Sequence, residues 1–476
     1  MTDSPSHWKR CKLGDVIRLK NGYAFKSQDY ADEGMPLVRI SDINDEKVSA
    51  ESAVRIPKEK VNPSFYVEQG DLLIAMSGAT TGKTGVYYGP APVLQNQRVG
   101  NFKIIDEAVV DKKWRNYYVA SLRKEIEKAA YGGAQPNISA KGIEGFDFPL
   151  PPPIEQKLIV AEIEKQFSRL DEAVANLKRI KANLKRYKAA VLKAAVEGKL
   201  TEDWRKAHPN VEPASKLLAR ILTDRRTNWK GKGKYKEPIM PDHPYFPSLP
   251  LTWNWGTVDQ VANVQLGKML DKQKHQSGKR LPYLRNINVR WGRIETEDLL
   301  EMFFEENQLD RYGLEPDDVL VCEGGEPGRA SVWNGRAPGL KYQKALHRVR
   351  FHGETEPHYL VILLEFLANT GRLERWFTGS TIKHFTRESF ISLPIPIPPI
   401  AEQKHIVAEV ERRLSVIEEL EATVEANLTR ANRLRQSILQ QAFSGKLIHR
   451  DRLQEPHGAL VIPLAAESLS SYGAIS

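Results

Sequence analysis

The sequence predicts an α+β (mixed α/β) protein with an internal two-fold repeat: two globular domains joined by two long helices that pack as an antiparallel coiled coil. Three observations predict this fold. One motif occurs twice, an apolar seam with helical spacing follows each copy, and short strand-like runs bounded by glycine and aspartate precede each copy. The 476-residue chain is long enough for more than one hydrophobic core.

The repeated motif marks the start of each long helix. Residues 152–163 read Pro-Pro-Ile-Glu-Gln-Lys-Leu-Ile-Val-Ala-Glu-Ile, and residues 398–410 read Pro-Pro-Ile-Ala-Glu-Gln-Lys-His-Ile-Val-Ala-Glu-Val. Glu155 and Glu402 are 247 residues apart, and Gly198 and Gly445, which each begin a Gly-Lys-Leu tripeptide, have the same separation. The segment from motif to tripeptide therefore repeats without a gap, and looser matches upstream extend the repeat through each preceding domain.

Each motif opens a segment in which apolar residues recur at alternating steps of three and four. Prolines before the motif block an earlier helix start, and the glycine that follows suits a helix C-terminal cap. A narrow apolar seam on an otherwise charged helix is typical of a coiled coil, so we expect the two seams to pack together. The alternative is that each helix lies on its own domain. The predicted seam residues are Ile159, Ile163, Phe167, Leu170, Val174, Leu177, Ile180, Leu184, Tyr187 and Val191 in the first helix and Ile406, Val410, Leu414, Ile417, Leu420, Val424, Leu428, Ala431, Leu434, Ile438 and Ala442 in the second.

These patterns divide the chain into six segments. Basic residues, tryptophans and prolines after the first helix indicate a partly ordered linker, and the C-terminal tail is expected to be loosely packed. The predicted segments are a first domain (1–150), a first long helix (151–200), a basic proline-containing linker (201–250), a second domain (251–395), a second long helix (396–447) and a tail (448–476).

Composition restricts the function classes. The formal net charge of +10 favours a polyanionic partner, with nucleic acid first. Cys11 and Cys322 are the two cysteines, which gives neither a disulfide framework nor metal-ligand spacing. We expect no membrane span, because no apolar run approaches about 20 residues, and no signal peptide at the start. These features together predict a cytoplasmic protein.

Two motifs resemble catalytic sites and depart from them. Residues 77–84 resemble a P-loop, but Ser77 stands where the pattern needs glycine, and the second copy places Glu326 where a phosphate would bind. We interpret both as glycine-rich turns between strands, with Lys83 or Arg329 exposed. Residues 316–323 hint at a metal-dependent nuclease but lack the lysine that this chemistry needs. We therefore predict no catalytic residue and no metal site.

The remaining polar residues suit DNA. Arginine and lysine bind phosphates and guanine edges, and amides bind adenine edges. The candidate DNA-binding cations lie in or near turn-like segments of the two domains. They are Lys20, Lys26, Arg39, Lys83 and Arg98 in the first domain and Lys268, Lys272, Lys274, Arg285, Arg329 and Arg348 in the second.

The duplicated motif, with its proline-rich lead, long helix and terminal Gly-Lys-Leu, resembles the specificity subunit of type I restriction-modification systems. The resemblance implies that each domain is a target recognition domain that reads one half of an asymmetric, interrupted sequence in double-stranded DNA. It implies that two modification (methyltransferase) subunits dock along the helices and methylate adenine, and that restriction (motor-nuclease) subunits join them. S-adenosylmethionine, ATP and magnesium are then expected in those partners, with no cofactor in this chain.

In such a protein the helices would set the gap between the half-sites. Glu155, Gln156, Glu402 and Gln403 would join the seam residues in the helix pair and its partner-binding surface. About 40 helical residues span about 60 Å, which matches roughly 17 base pairs as an upper bound. Two other hypotheses stay open. One is a nucleotide-driven nuclease or methyltransferase in one chain, and the other is a coiled-coil scaffold joining two protein-binding modules.

Overall fold

The computed structural model describes residues 5–44, 46–130, 137–229, 233–241, 247–269 and 277–448. The chain divides into two units, Met1–Leu177 with Ala426–Ser476 and Lys178–Glu425. Each unit therefore holds one globular domain and a part of each long helix. The predicted tail lies outside the described residues from position 449 onward.

Short strands dominate the first domain. Its strands are β1 (Lys9–Lys12), β2 (Ile17–Asn21), β3 (Met35–Val38), β4 (Ile43–Asn44), β5 (Glu46–Val48), β6 (Arg55–Ile56), β7 (Tyr66–Val67), β8 (Leu72–Ala75), β9 (Thr84–Tyr87), β10 (Val93–Gln95), β11 (Val99–Ile104) and β12 (Asp147–Leu150). Its helices are α1 (Leu13–Val16), α2 (Lys112–Ser121), α3 (Arg123–Ala130) and α4 (Ala140–Glu144), and the first long helix is α5 (Pro153–Val196).

The rest of the chain has a similar order of elements. Two helices come first, α6 (Glu202–Ala207) and α7 (Ala214–Thr227). The strands that follow are β13 (Asn254–Thr257), β14 (Ala262–Leu266), β15 (Lys279–Leu284), β16 (Val289–Arg290), β17 (Arg293–Ile294), β18 (Leu300–Phe304), β19 (Val319–Cys322), β20 (Ala330–Val332), β21 (Lys341–Tyr342), β22 (Leu346–Phe351) and β23 (Pro394–Ile397). The further helices are α8 (Val258–Val261), α9 (Pro357–Asn369), α10 (Arg387–Ile391) and the second long helix α11 (Ile400–Phe443).

The first unit contains a six-stranded sheet in the order β2-β11-β8-β9-β5-β4, a four-stranded sheet in the order β6-β3-β10-β7, and the ribbon β1-β12. All four side chains of β8 are buried, because Leu72 and Ile74 pack with the helices while Leu73 and Ala75 face a second core. Alternate residues of a strand point to opposite faces, so a strand covered on both sides is apolar throughout. The strand predicted at 72–74 is thus confirmed.

The second unit repeats this scheme with a four-stranded sheet, β14-β22-β19-β20, a three-stranded sheet, β18-β15-β21, and the ribbons β13-β23 and β16-β17. In β19, Val319 and Val321 pack with helix α9, while Leu320 and Cys322 lie in a separate core. The strand predicted at 319–321 is confirmed as well. The mixture of sheets and helices in both units confirms the predicted fold class.

The long helices are antiparallel in the first unit, where the start of α5 meets the end of α11. Ile163 and Phe167 share a hydrophobic core with Ala442. The guanidinium of Arg435 lies 4.3 Å from the ring centroid of Phe167 and forms an ion pair with Asp171. The packing of seam residues from both helices confirms the predicted pairing here.

The same antiparallel pairing occurs in the second unit, between the end of α5 and the start of α11. Val191 and Leu192 lie in one core with Ile406 and Val410. Lys181 Nζ is 2.8 Å from the Glu425 carboxylate.

The predicted seam is buried to different degrees along its length. Ile159, Ile163, Leu184, Ile406, Val410 and Ile417 are buried, and Leu170, Leu177 and Leu414 are half-buried. Ile180, Tyr187, Leu420 and Leu434 were also predicted to lie in the seam, but they are 45–47 % exposed. Side chains of this size usually avoid water, so the helix pair presents apolar surface that the described residues leave uncovered.

The structure differs from the prediction of a linker over 201–250. Helices α6 and α7 occupy its first half, and Leu217, Leu218 and Ile221 of α7 are buried in the second unit. Their spacing of three and four residues places them on one helical face. Arg220 is the one basic residue between Leu217 and Ile221, and it is the basic and proline-rich stretches on either side of α7 that favour a linker in the sequence.

Candidate nucleic-acid interface

In the first unit, the Glu-Gln pair fastens the start of α5 to its own domain. Glu155 accepts a 2.9 Å hydrogen bond from the indole nitrogen of Trp8. Gln156 is fully buried, and its Oε1 accepts a 2.8 Å bond from the backbone nitrogen of Asp111, which caps α2. The helix start, the first strand and helix α2 are therefore held together by two adjacent side chains.

The second unit repeats this arrangement and adds the hydroxyl of Thr201 as a further hydrogen-bond donor to the glutamate. Glu402 accepts a 2.9 Å bond from the indole of Trp253 and a 2.6 Å bond from the hydroxyl of Thr201. Gln403 accepts a 3.1 Å bond from the backbone nitrogen of Glu356, the residue that caps α9. The four Glu and Gln side chains of the two motifs thus have internal partners. The structure assigns them to anchoring the helices rather than to an outer surface.

The ends of several strands meet in the first unit and form what we term the first loop cluster. Backbone hydrogen bonds join Tyr23 to Gln95 (3.1 Å) and Asn96 to Val38 (3.0 Å). Another joins Met76 to Arg98 (3.0 Å). The cluster comprises residues 21–26, 38–42, 76–83, 95–98 and 137–138.

Most predicted cations of the first domain lie in or beside this cluster. Lys20, Lys26 and Arg98 are exposed, and Lys83 is half-buried in the turn between β8 and β9. The described residues place no carboxylate within ion-pair distance of these four side chains. Their charges are thus available to an anionic partner. Residues 77–83 form the glycine-rich turn predicted between two strands.

Arg39 and Arg285 occupy the same place in the two repeats and both have an acidic neighbour. Arg39 Nε is 3.8 Å from Asp42 Oδ2, whereas Arg285 Nη2 is 2.7 Å from the carboxylate of Asp298. Arg285 is the less exposed of the two side chains, at 19 % against 35 %. The charge of Arg285 is therefore already compensated within the domain.

Equivalent strand ends meet in the second unit, in what we term the second loop cluster. Here the backbone nitrogen of Lys268 bonds to Tyr342 (3.1 Å), and that of Gln343 bonds to Leu284 (3.1 Å). The cluster comprises residues 266–269, 284–288, 323–329, 342–346 and 384–386. Its position in the fold matches that of the first loop cluster.

Lys268 of this cluster is turned inward. Its Nζ donates to the backbone oxygen of Phe303 at 2.6 Å and to Gln308 Oε1 at 2.7 Å, and the residue is 3 % exposed. Burial lowers the pKa of this amine, since the charged form is the one that burial penalises. Lys268 therefore stabilises the loops that surround it.

Arg329 and Arg348 are also turned inward, at 7 % and 6 % exposure. Arg329 donates to the backbone oxygen of Asn286 at 2.9 Å, and Arg348 donates to Gly313 at 2.8 Å and to Gln265 at 3.1 Å. The prediction that Arg329 is exposed is wrong, because its guanidinium holds two loops together. Two further candidates, Lys272 and Lys274, lie outside the described residues.

Three exposed or half-buried groups on these clusters were not predicted to bind DNA, although Glu323 was considered as part of a nuclease-like motif. Tyr23 is 52 % exposed and packs its ring 4.9 Å from that of Phe25. In the second cluster, Glu323 is half-buried and Lys344 is exposed. Each binds a neighbouring loop through its own backbone, Tyr23 to Gln95, Glu323 to Ala345 and Lys344 to Lys268, and no local sequence pattern marks such a contact.

Similarity to known proteins extends over nearly the whole chain. The profile of a family described as "Type I restriction modification DNA specificity domain" matches residues 5–186 and 250–430. The EcoKI specificity subunit of a type I restriction enzyme from Escherichia coli K12 is 25 % identical, over 98 % of this chain and 97 % of its own. The Escherichia coli EcoBI specificity subunit is 24 % identical over 98 % and 93 %.

Solved structures share the fold. A chain from a structural study of complex assembly and conformational transition of the type I restriction-modification system has a TM-score of 0.67 at 18 % identity, covering 93 % of this chain and 99 % of that one. The HsdS subunit from Thermoanaerobacter tengcongensis has a TM-score of 0.52 at 16 % identity, covering 93 % and 98 %. In the described residues no helix combines the length and the apolar character that a membrane span requires.

Proposed function

The chain belongs to the type I restriction-modification DNA specificity family, and on that premise we propose that its two loop clusters read the two halves of an interrupted, asymmetric DNA site. As a specificity subunit it recognises the DNA target and is non-catalytic. This membership sets aside the single-chain enzyme and the scaffold of two protein-binding modules.

The observation that carries the proposal is the pair of loop clusters at equivalent places in the repeat. The first presents the cations Lys20, Lys26 and Arg98. The second presents Glu323 and Lys344, whereas the candidate arginines Arg329 and Arg348 are buried within the domain. Equivalent positions with different side chains suit two related readers with different base preferences. The target would then be asymmetric.

We propose that two modification subunits dock along the paired helices. Exposed apolar side chains on otherwise charged helices support this, because such surface is usually covered by a partner. The residues concerned are Ile180, Tyr187, Val416, Leu420 and Leu434. In this proposal the modification subunits carry S-adenosylmethionine and methylate adenine. Restriction subunits that use ATP and magnesium complete the complex in the cytoplasm of a prokaryotic cell.

Methylation mapping tests the proposal. The chain is co-expressed with a candidate modification subunit, and adenine methylation is mapped across the host genome. We expect one interrupted motif, methylated once on each strand, that is absent from cells with the modification subunit alone. A stable complex that methylates no interrupted motif, with any modification subunit that binds it, would contradict the proposal.

A further inference from the structure

Glu323 occupies a fixed position on the second loop cluster. Its backbone nitrogen donates to Ala345 at 2.9 Å, and its backbone oxygen accepts from Phe385 at 2.7 Å. The residue therefore ties together three segments of the cluster. Lys344 immediately precedes Ala345 in the segment that bonds to the Glu323 backbone, and its positive charge acts on the Glu323 carboxylate.

The side chain of Glu323 differs from the other acidic groups around it. Glu326 pairs with Arg329 at 2.7 Å, and Asp298 pairs with Arg285 at 2.7 Å. In the part of the chain that the structure describes, no hydrogen bond or ion pair shorter than 4 Å engages the carboxylate of Glu323. Partial burial raises its pKa, with Lys344 and His384 acting in the opposite direction.

A carboxylate without an ion-pair partner requires an explanation on a surface that, under the proposed function, faces DNA. It repels phosphates, so it weakens binding unless it meets a hydrogen-bond donor. In the major groove the amino group of cytosine supplies such a donor, and glutamate is suited to accept from it. The paired guanine presents two acceptors, O6 and N7, which suit a lysine amine. A carboxylate on one segment and an amine on the adjoining segment are therefore complementary to the two edges of one cytosine–guanine pair.

We propose that Glu323 and Lys344 together read one cytosine–guanine base pair in the half-site that the second unit recognises. The proposal rests on the proposed function, since it assumes that the second loop cluster faces DNA. Glu323 accepts from the cytosine amino group, and Lys344 donates to the guanine of the same pair.

The first repeat lacks a counterpart of the Glu323 carboxylate. Met76 takes the place of Glu323, because its backbone bonds to Arg98 and Ile138 as Glu323 bonds to Ala345 and Phe385. Met76 is 5 % exposed and has no acceptor suited to cytosine. The requirement for this base pair therefore belongs to one half-site alone.

The test compares methylation motifs of the wild-type complex, E323Q and K344M. Glutamine keeps the size of glutamate but adds a donor, so E323Q loses its preference for the cytosine amino group. We expect discrimination at one cytosine–guanine position to fall about tenfold or more in each variant. Every position of the other half-site and the length of the gap stay unchanged. Because both variants act on one base pair, relaxation at the same position is the specific signature.

The control is E388Q, which removes the same charge from α10, a helix whose Glu388 carboxylate acts electrostatically on Glu323. It should leave the motif unchanged. Complex formation and thermal unfolding establish that each variant is folded. The inference is overturned if neither half-site of the wild-type motif contains a strictly read cytosine–guanine pair. It is also overturned if folded E323Q and K344M keep the wild-type motif or relax different positions. Failure of the proposed function is distinct, since the wild-type complex would then give no interrupted motif.

Discussion

The indole nitrogen of Trp253 donates a 2.9 Å hydrogen bond to Glu402, whose side chain is completely buried at the start of α11. Trp8 and Glu155 form the same bond at the same distance in the first unit. In both units the bond joins the residue before a domain's first strand to the long helix that follows that domain. The duplicated glutamate is therefore the point at which each domain and its helix are locked together.

Removing the carboxylate of Glu402 is expected to destabilise the protein strongly. E402A leaves the charged guanidinium of Arg205 and the donors of Trp253 and Thr201 without their acceptor. Loss of one partner of a buried ion pair costs about 3–5 kcal/mol of unfolding free energy. Urea unfolding measures this difference. E411A, which changes an exposed glutamate of the same helix, should change the unfolding free energy by less than about 0.5 kcal/mol, and equal effects would contradict the assignment.

The glycine that follows α5 should accept an added methyl group only with a loss of stability. Gly198 has φ +72°, and an added Cβ would lie 2.7 Å from Pro250 Cγ and 3.2 Å from Trp253 Cζ2. Gly292 has a similar φ of +69° but nothing within 4 Å of its Cβ position. G292A therefore measures the backbone strain alone, about 1 kcal/mol.

We expect G198A to lower the unfolding free energy by at least about 1 kcal/mol more than G292A, because overpacking adds to the strain. Thermal unfolding of the two variants gives the comparison. Equal melting temperatures would mean that Pro250 and Trp253 do not limit the space for a side chain at position 198.

The sequence predicted the repeat, the strands and the paired helices because these depend on local periodicity. It could not predict what Glu155 and Glu402 bind, since Trp8 and Trp253 are 147 and 149 residues away in the chain. The motif was recognisable by its duplication, whereas its role depends on tertiary contacts. A local pattern identifies a helix start but not the side chain that meets it.

The cations were harder to assign than the helices. Lys268 and Arg348 lie close to turns in the sequence, as Lys20 and Arg98 do. The difference in exposure arises because backbone carbonyls of distant segments accept hydrogen bonds from Lys268 and Arg348. Lys268 donates to Phe303, and Arg348 donates to Gly313. Exposure of a long cationic side chain is decided by these acceptors rather than by the residue type.

Acid should destabilise the second unit through His347. This residue is completely buried, donates from Nε2 to the backbone oxygen of Phe385 at 2.7 Å, and has its pKa lowered by burial from 6.5 to about 4. As the pH falls, the histidine of the unfolded chain is protonated before that of the folded protein. The stability that the neutral ring contributes is therefore fully present above pH 6.5. It is lost as the pH falls towards 4, by on the order of 3 kcal/mol.

Unfolding free energies measured between pH 7 and pH 4 check this expectation. H347Q should flatten the decline, because the substituted side chain does not titrate. H358Q is the control, since His358 is exposed and lies outside the core. An unchanged pH dependence in H347Q would contradict the assignment.

Arg98 and Lys112 provide a test of where DNA lies on the first unit. Arg98 precedes β11 and belongs to the first loop cluster, whereas Lys112 follows the opposite end of that strand. Each phosphate contact contributes about 0.9 to the slope of log affinity against log salt concentration. R98Q should weaken binding and reduce that slope by about 0.9, while K112Q should leave it unchanged. Fluorescence anisotropy of a labelled duplex with the modification complex measures both slopes. A loss of slope in K112Q and not in R98Q would place the DNA at the other end of the sheet and remove the basis for the loop clusters as readers.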